Sequence, residues 1–358
     1  MSCNSVVYNG IERCKKQRNS SIELFRIIAT FFVLIIHLYG WMAGGLVDWN
    51  DENISSLQKI SQLIIQSLTI VCVNCFLIIS GWYGIKFKFS SIWRLWTIVF
   101  FTYFPFQILE YISVGTFSIG NLIDNILVFT RESYFVQCYS MLLFLSPVIN
   151  SFFDKYGKKG LNYIIAFWII EIIMEAIWDN KSLGFEDGYS LIHFILIYMM
   201  ARMASLYKDQ ILQIKRIYWI FGYFICAFII CICHLLKYSH TWDYSNPIVV
   251  VESFCLFFPF LYKCYYNKWV NWIASSTLAV FIMHTCSPLY TMLVNIDNYL
   301  LINYKYFTYL LFCFLLIVVT FCVCVLYDKA RIRLFQPLTD ILYEKINKVF
   351  CIWIKNFL

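Results

Sequence analysis

The sequence predicts an all-α, polytopic integral membrane protein with about ten transmembrane helices and both termini in the cytoplasm. Three observations carry this expectation: an apolar composition, ten apolar runs of membrane-spanning length, and a one-sided distribution of basic residues. Of 358 residues, 61% are hydrophobic, 20% aromatic and only 14% charged, which is more apolar surface than a soluble fold of this size buries. The strand alternation of a membrane β-barrel is absent.

The apolar runs fall at 21–43, 60–84, 92–112, 133–153, 161–178, 189–207, 217–236, 247–262, 270–294 and 306–327. Most are close to the ~20 residues that a spanning helix needs, and 247–262 is short enough to be tilted or partly re-entrant. With the amino terminus inside, the inner segments hold 22 Lys and Arg residues and the outer segments five, namely Lys59, Arg131, Lys181, Lys237 and Lys305. That bias sets both termini in the cytoplasm. It also explains the net charge of +7 and removes any reason to invoke nucleic acid. The first run is long and lacks a small-residue cleavage site, so no cleavable signal peptide is expected.

The first run carries Arg26 and His37, a full charge and an imidazole in a segment that should sit in hydrocarbon, where such residues are costly and default to a functional reading. Eleven helical residues turn about 1100°, roughly 20° past three full turns, and rise about 16 Å. Arg26 and His37 therefore share one face. Ser20 and Glu23 form a capping-box pattern ahead of the run, and Glu23 can pair with Arg26 at i,i+3. A snorkelling arginine and a backbone-bonded histidine would account for each residue taken singly.

In the second run, small Ser80 and Gly81 allow close helix approach. Arg94 opens the third run and Arg202 ends the sixth, at the inner depth of Arg26. Three arginines at one depth can form an anion site facing the cytoplasm, although positive-inside anchoring also suits each of them. Glu110, Glu171, Glu175 and Glu252 fall in outer parts of the third, fifth and eighth runs. His193 lies near the outer end of the sixth, and His37 and His284 lie at or beyond the midplane. Cations thus gather inward, and carboxylates with imidazoles outward. A protein that takes an anionic donor from the cytoplasm and a polar acceptor from outside would have this arrangement.

The 15 cysteines are scattered through apolar runs as small packing residues, and no His/Cys cluster completes a metal site. No linker or repeat divides the chain. A polar, basic cytoplasmic lead at 1–19 precedes one membrane domain at 20–327. Residues 328–358 alternate charge with Ile, Leu, Phe and Trp, the spacing of an amphipathic tail on the inner surface.

Several blocks, taken in order, resemble the acyltransferase 3 family of integral membrane acyltransferases that act on bacterial surface polysaccharides. They are Arg26 and His37 separated by ten residues, VNCFLIISGWY at 73–83, the basic loop at 86–96, SYFVQCYSMLLFLSPVIN at 133–150 and SSTLAVFIMHTCSPLY at 275–290. No single block is specific; their order and spacing are. The resemblance implies that 20–327 is a membrane acyltransferase domain with His37 as catalytic histidine, either a general base or a transient acyl carrier. It implies that Arg26 and Arg94 help hold an acyl-coenzyme A co-substrate. Glu110, Glu171, Glu175 and Glu252 are candidates for orienting the imidazole, and His193, His284 and Ser80 are further candidates. Ser91 stands where the family often has the first arginine of its basic loop, so Lys86, Lys88 or Arg202 is expected to contribute to the donor site.

The expected activity is O-acyl transfer, with acetyl the favoured group, from cytoplasmic acyl-coenzyme A to a lipid-linked or surface glycan at a bacterial inner membrane. No bound cofactor or metal is expected. A polysaccharide polymerase or flippase is the second reading. The short, acidic outer loops count against it, and the lack of an internal repeat counts against a proton-coupled transporter.

Overall fold

A computed structural model describes residues 18–41, 55–114, 120, 134–177 and 184–357. It is helical throughout, without a strand among the described residues. The expected lead at 1–19 lies almost wholly outside them, as do Arg131 and Lys181 and the side chain of Glu110. Helix α1 is Ser20–Ile35 and continues as a π turn at Ile36–Trp41. The second apolar run forms α2 (Ser56–Thr69) and α3 (Cys72–Tyr83), and α4 is Phe89–Val114. Next come α5 (Tyr134–Tyr156), a 3₁₀ turn at Gly157–Gly160, and α6 (Leu161–Ile172) with a π turn at Ile173–Ile177. Helices α7 (Leu191–Leu206), α8 (Lys208–Gln213), α9 (Arg216–Leu235) and α10 (Pro247–Phe257) follow.

The ninth run, expected as one helix, is three: α11 (Lys268–Ala274), α12 (Thr277–Met283) and α13 (Ser287–Asn303). Pro288 opens α13 in its first turn, where a missing N–H costs nothing, and it cannot continue the helix before it. The last helix, α14, runs unbroken from Tyr306 to Phe357. Among the described residues, each of the ten apolar runs is therefore mainly helical. Among the described residues, five stretches are long and apolar enough to cross a membrane: Ser20–Tyr39, Ser56–Tyr83, Tyr134–Glu175, Arg216–Leu235 and Tyr306–Lys348, with Leu191–Leu206 and Pro247–Tyr262 as shorter apolar helices. The Tyr134–Glu175 stretch turns back on itself. Gly157 has φ +50°, and the Phe152 and Tyr163 rings, eleven residues apart, meet at 6.1 Å, where a straight helix would separate their backbones by about 16 Å.

The helix start at Ser20 is capped by Asn19, whose side chain accepts from the Ser21 N–H at 3.0 Å. The expected Ser20 cap does not form because that hydroxyl is bound elsewhere. It lies 2.9 Å from Asn271 Oδ1 and accepts the Asn267 N–H at 2.7 Å, which ties α1 to α11. Helix α3 lies closely against α7 because Gly81 has no side chain. A Cβ there would fall 2.3 Å from the Tyr198 carbonyl oxygen and 2.8 Å from Ala201 Cβ. One apolar core joins α1, α3, α4, α5, α7, α9 and α10. A second gathers α12, α13 and α14 around Ile27, Leu34, Leu38 and Tyr39 of α1 and its π turn. Helix α9 turns Ile217, Phe221, Phe224, Ile225 and Phe228 outward, an apolar exterior that suits lipid rather than water.

Candidate active site

The π turn that ends α1 carries His37, and such turns recur at functional sites. The helix break after α12 presents His284, which is fully buried. His37 Nδ1 lies 2.7 Å from His284 Nε2, and His284 Nδ1 lies 2.8 Å from the Val280 carbonyl oxygen. A carbonyl only accepts, so His284 carries its proton on Nδ1 and offers the Nε2 lone pair. His37 Nδ1–H then donates to that lone pair, and the basic electron pair of His37 sits on Nε2. This chain of two bonds fixes both tautomers from one backbone carbonyl. No carboxylate bonds to His37 among the described residues; the group that orients it is another imidazole.

On the Arg26 side of the pair lies a cavity of about 440 Å³, within the range of small-molecule sites. Arg18, Arg26, Arg94 and Arg331 all line it. Glu23 takes Arg18 in a two-pronged contact at 3.0 and 3.1 Å and Arg26 at 3.3 Å. Asp328 holds Arg331 at 2.8 Å. Arg94 has no carboxylate partner among the described residues, so it is the guanidinium most available to an incoming anion. Phe76, Phe135, Leu278 and Phe281 form an apolar wall. The Phe281 ring lies 6.3 Å from the His284 ring, so one aromatic side chain joins the cavity to the histidine pair. Ser80 and Tyr139 also line the cavity, their hydroxyls 3.4 Å apart.

The structure thus brings Arg26, Arg94 and Ser80 together in the cavity lining and pairs His37 with His284 behind Phe281, outside that lining. Lys88 is exposed on the connection before α4 and does not line the cavity. Arg202 packs its guanidinium beside Gly84, where a Cβ would lie 3.3 Å from Cζ. The carboxylates form separate buried groups. Glu171 Oε1 lies 2.9 Å from His193 Nδ1, and His193 Nε2 lies 2.9 Å from Asn74 Oδ1. Asn74 Nδ2 donates to the Tyr244 carbonyl at 2.9 Å, which makes Oδ1 the acceptor and puts a proton on His193 Nε2. One further proton is then shared between imidazole and carboxyl. Glu175 is buried beside Ser245, and Glu252 is buried near Cys226.

Sequence reasoning missed Arg18, assigned to a loose lead, and Arg331, assigned to a surface tail. The Asp328/Arg331 spacing of i,i+3, continuing the helical pattern of the last run, is the signal that could have found the second. Away from the cavity, one ligand atom each of Asp187, His240 and Asp243 lies within 4.8 Å of the others, close enough to hold a metal ion.

Compared with known families, residues 19–329 match the acyltransferase domain of the acyltransferase 3 family. The chain belongs to that family. No curated protein and no solved structure matches it significantly. Membrane acyltransferase activity follows from the family, and the polymerase, flippase and transporter readings fall away. In this acyltransferase, the arginine-lined cavity and the histidine pair both lie within the matched region, except for Arg18, one residue before it, and the cavity wall that begins at Arg331.

Proposed function

We propose that this acyltransferase moves an acyl group, acetyl being the favoured one, from cytoplasmic acyl-coenzyme A to a sugar hydroxyl of a surface or capsular glycan. The observation that carries the reading is the cationic cavity whose apolar wall ends at the histidine pair. In this reading, Arg18, Arg26, Arg94 and Arg331 hold the donor's phosphates. The thioester passes along Phe76, Phe135 and Phe281. His37 Nε2 takes the proton of the attacking hydroxyl as its oxygen bonds the thioester carbonyl carbon. When the carbon–sulfur bond breaks, the imidazolium returns a proton to the leaving thiolate. His284 accepts from His37 Nδ1–H throughout, a bond that strengthens as the His37 ring becomes positive. Attack by His37 itself, forming an acyl-imidazole that the sugar then discharges, uses the same lone pair.

The proposed setting is a bacterial inner membrane, with ten spans and cytoplasmic termini. The basic-residue bias supports this orientation. It puts the arginines at the inner surface and His37 toward the outer one. The deciding experiment is mass spectrometry of the surface polysaccharide from cells lacking the protein, complemented with wild type or His37→Ala. Loss of a fixed acyl mass from the repeat unit, restored by wild type only, is the expected result. Unchanged acylation in the deletion overturns the glycan reading.

A further inference from the structure

The match to the family ends at residue 329, but the cavity does not. Arg331, Ile332, Gln336, Thr339 and Asp340 line it from beyond that point. Their spacing of four, then three and four, is one face of a helix, and they lie on the unbroken helix α14. Several contacts anchor that face to α4. Trp93 Nε1 donates to the Thr339 carbonyl at 3.1 Å. The Tyr343 ring lies 5.9 Å from Phe89 and 6.1 Å from Trp93, and Phe101 stacks on Phe335 at 4.7 Å.

This end of the cavity differs chemically from the end beside the histidines. Trp93 contributes an indole to its lining. Thr339 is buried, Gln336 half-buried and Asp340 exposed, so the three run outward to the mouth. The Thr339 hydroxyl proton is spent on the Gln336 carbonyl at 2.9 Å, so that hydroxyl has only lone pairs left to offer a ligand. Asp340 also only accepts, and the Gln336 amide both donates and accepts. Arg331, held by Asp328 at 2.8 Å, stands one turn away. An aromatic plane, a surplus of acceptors, one amide and a guanidinium match a purine that bears an exocyclic amine and is joined to phosphate.

We propose that residues 331–340 of α14, together with Trp93, form an adenine-nucleotide subsite that reads the far end of the donor. It would make the enzyme select a coenzyme A thioester over a donor that carries only phosphopantetheine. The proposal rests on the donor reading given above. In it, the base stacks on Trp93, and its exocyclic amine donates to Asp340 and Thr339. Gln336 bonds the ring nitrogens and Arg331 a phosphate.

The test is isothermal titration of the purified full chain in detergent with coenzyme A and with 4′-phosphopantetheine, for wild type, Asp340→Ala, Gln336→Ala and Arg94→Ala. Wild type should bind coenzyme A at least tenfold more tightly than phosphopantetheine. Asp340→Ala and Gln336→Ala should each weaken coenzyme A by about tenfold, the scale of one lost hydrogen bond, with phosphopantetheine unchanged. Asp340 is exposed, so its removal leaves folding intact. Equal wild-type affinities for the two ligands, or variants that weaken both ligands alike or neither, overturn the nucleotide subsite while the donor site stands. If wild type binds neither ligand and Arg94→Ala changes nothing, the donor reading itself fails.

Discussion

Replacing His284 with alanine tests the histidine pair directly. The substitution deletes the only acceptor that the described residues offer to His37 Nδ1–H, a contact of 2.7 Å. Without it, the His37 ring is free to turn or to move its proton to Nε2, and the lone pair no longer faces the substrate. A positioned general base contributes about 10²–10⁴-fold to rate, so kcat should fall by about 10²-fold or more. The donor KM should stay near wild type, because the arginines line the cavity and His284 does not. The assay is acyl transfer from radiolabelled acetyl-coenzyme A in membranes, with kcat and KM measured separately. His284→Gln supplies a carbonyl oxygen that can accept the same N–H, and it should recover part of the loss. A merely structural His284 would show no such rescue. Wild-type kcat in His284→Ala would refute the reasoning outright.

Arg94→Ala should raise the donor KM about tenfold or more while leaving kcat intact, since Arg94 lacks a carboxylate partner among the described residues and its charge is free for phosphate; Lys88→Ala, exposed and outside the cavity, should change neither value. Asn74→Leu leaves the His193 Nε2–H and the Tyr244 carbonyl without partners in an apolar interior, and should lower stability by about 2 kcal/mol or more, seen as a lower thermal midpoint with His37 untouched. Gly81→Val drives a branched side chain into the Tyr198 carbonyl, 2.3 Å from the position of Cβ. That should separate α3 from α7 and abolish the folded peak in size-exclusion chromatography, whereas Ser80→Ala at the adjacent residue should retain it.

Much of the helical framework was legible because hydrophobic pattern is local. A run of apolar residues cannot leave its backbone groups unpaired in lipid, so each run must be helical wherever it packs. The same reasoning put Arg26 and His37 on one stretch, about 16 Å apart, and the i,i+3 rule paired Glu23 with Arg26. The breaks within the ninth run were harder to read. Pro288 signals one of them, but nothing in SSTLAVFIMHT shows where α12 begins and ends.

The partners of those residues lie far off in the chain. His37 meets His284 across 247 positions, and Arg26 shares its cavity with Arg94 and Arg331. Sequence reasoning sought a carboxylate for His37 because an imidazole needs an orienting acceptor, and Glu171 and Glu175 have the right type and depth. The fold instead holds Glu171 on His193 and gives His37 a second imidazole, whose neutral form is cheaper to bury in an apolar interior than an ionised carboxyl. By itself, the sequence determined the class of protein, its helical runs and the residues too costly to be idle in them. Only the tertiary structure decided which of those residues face one another, because burial preference belongs to each residue alone, whereas contact depends on how every helix packs against the rest.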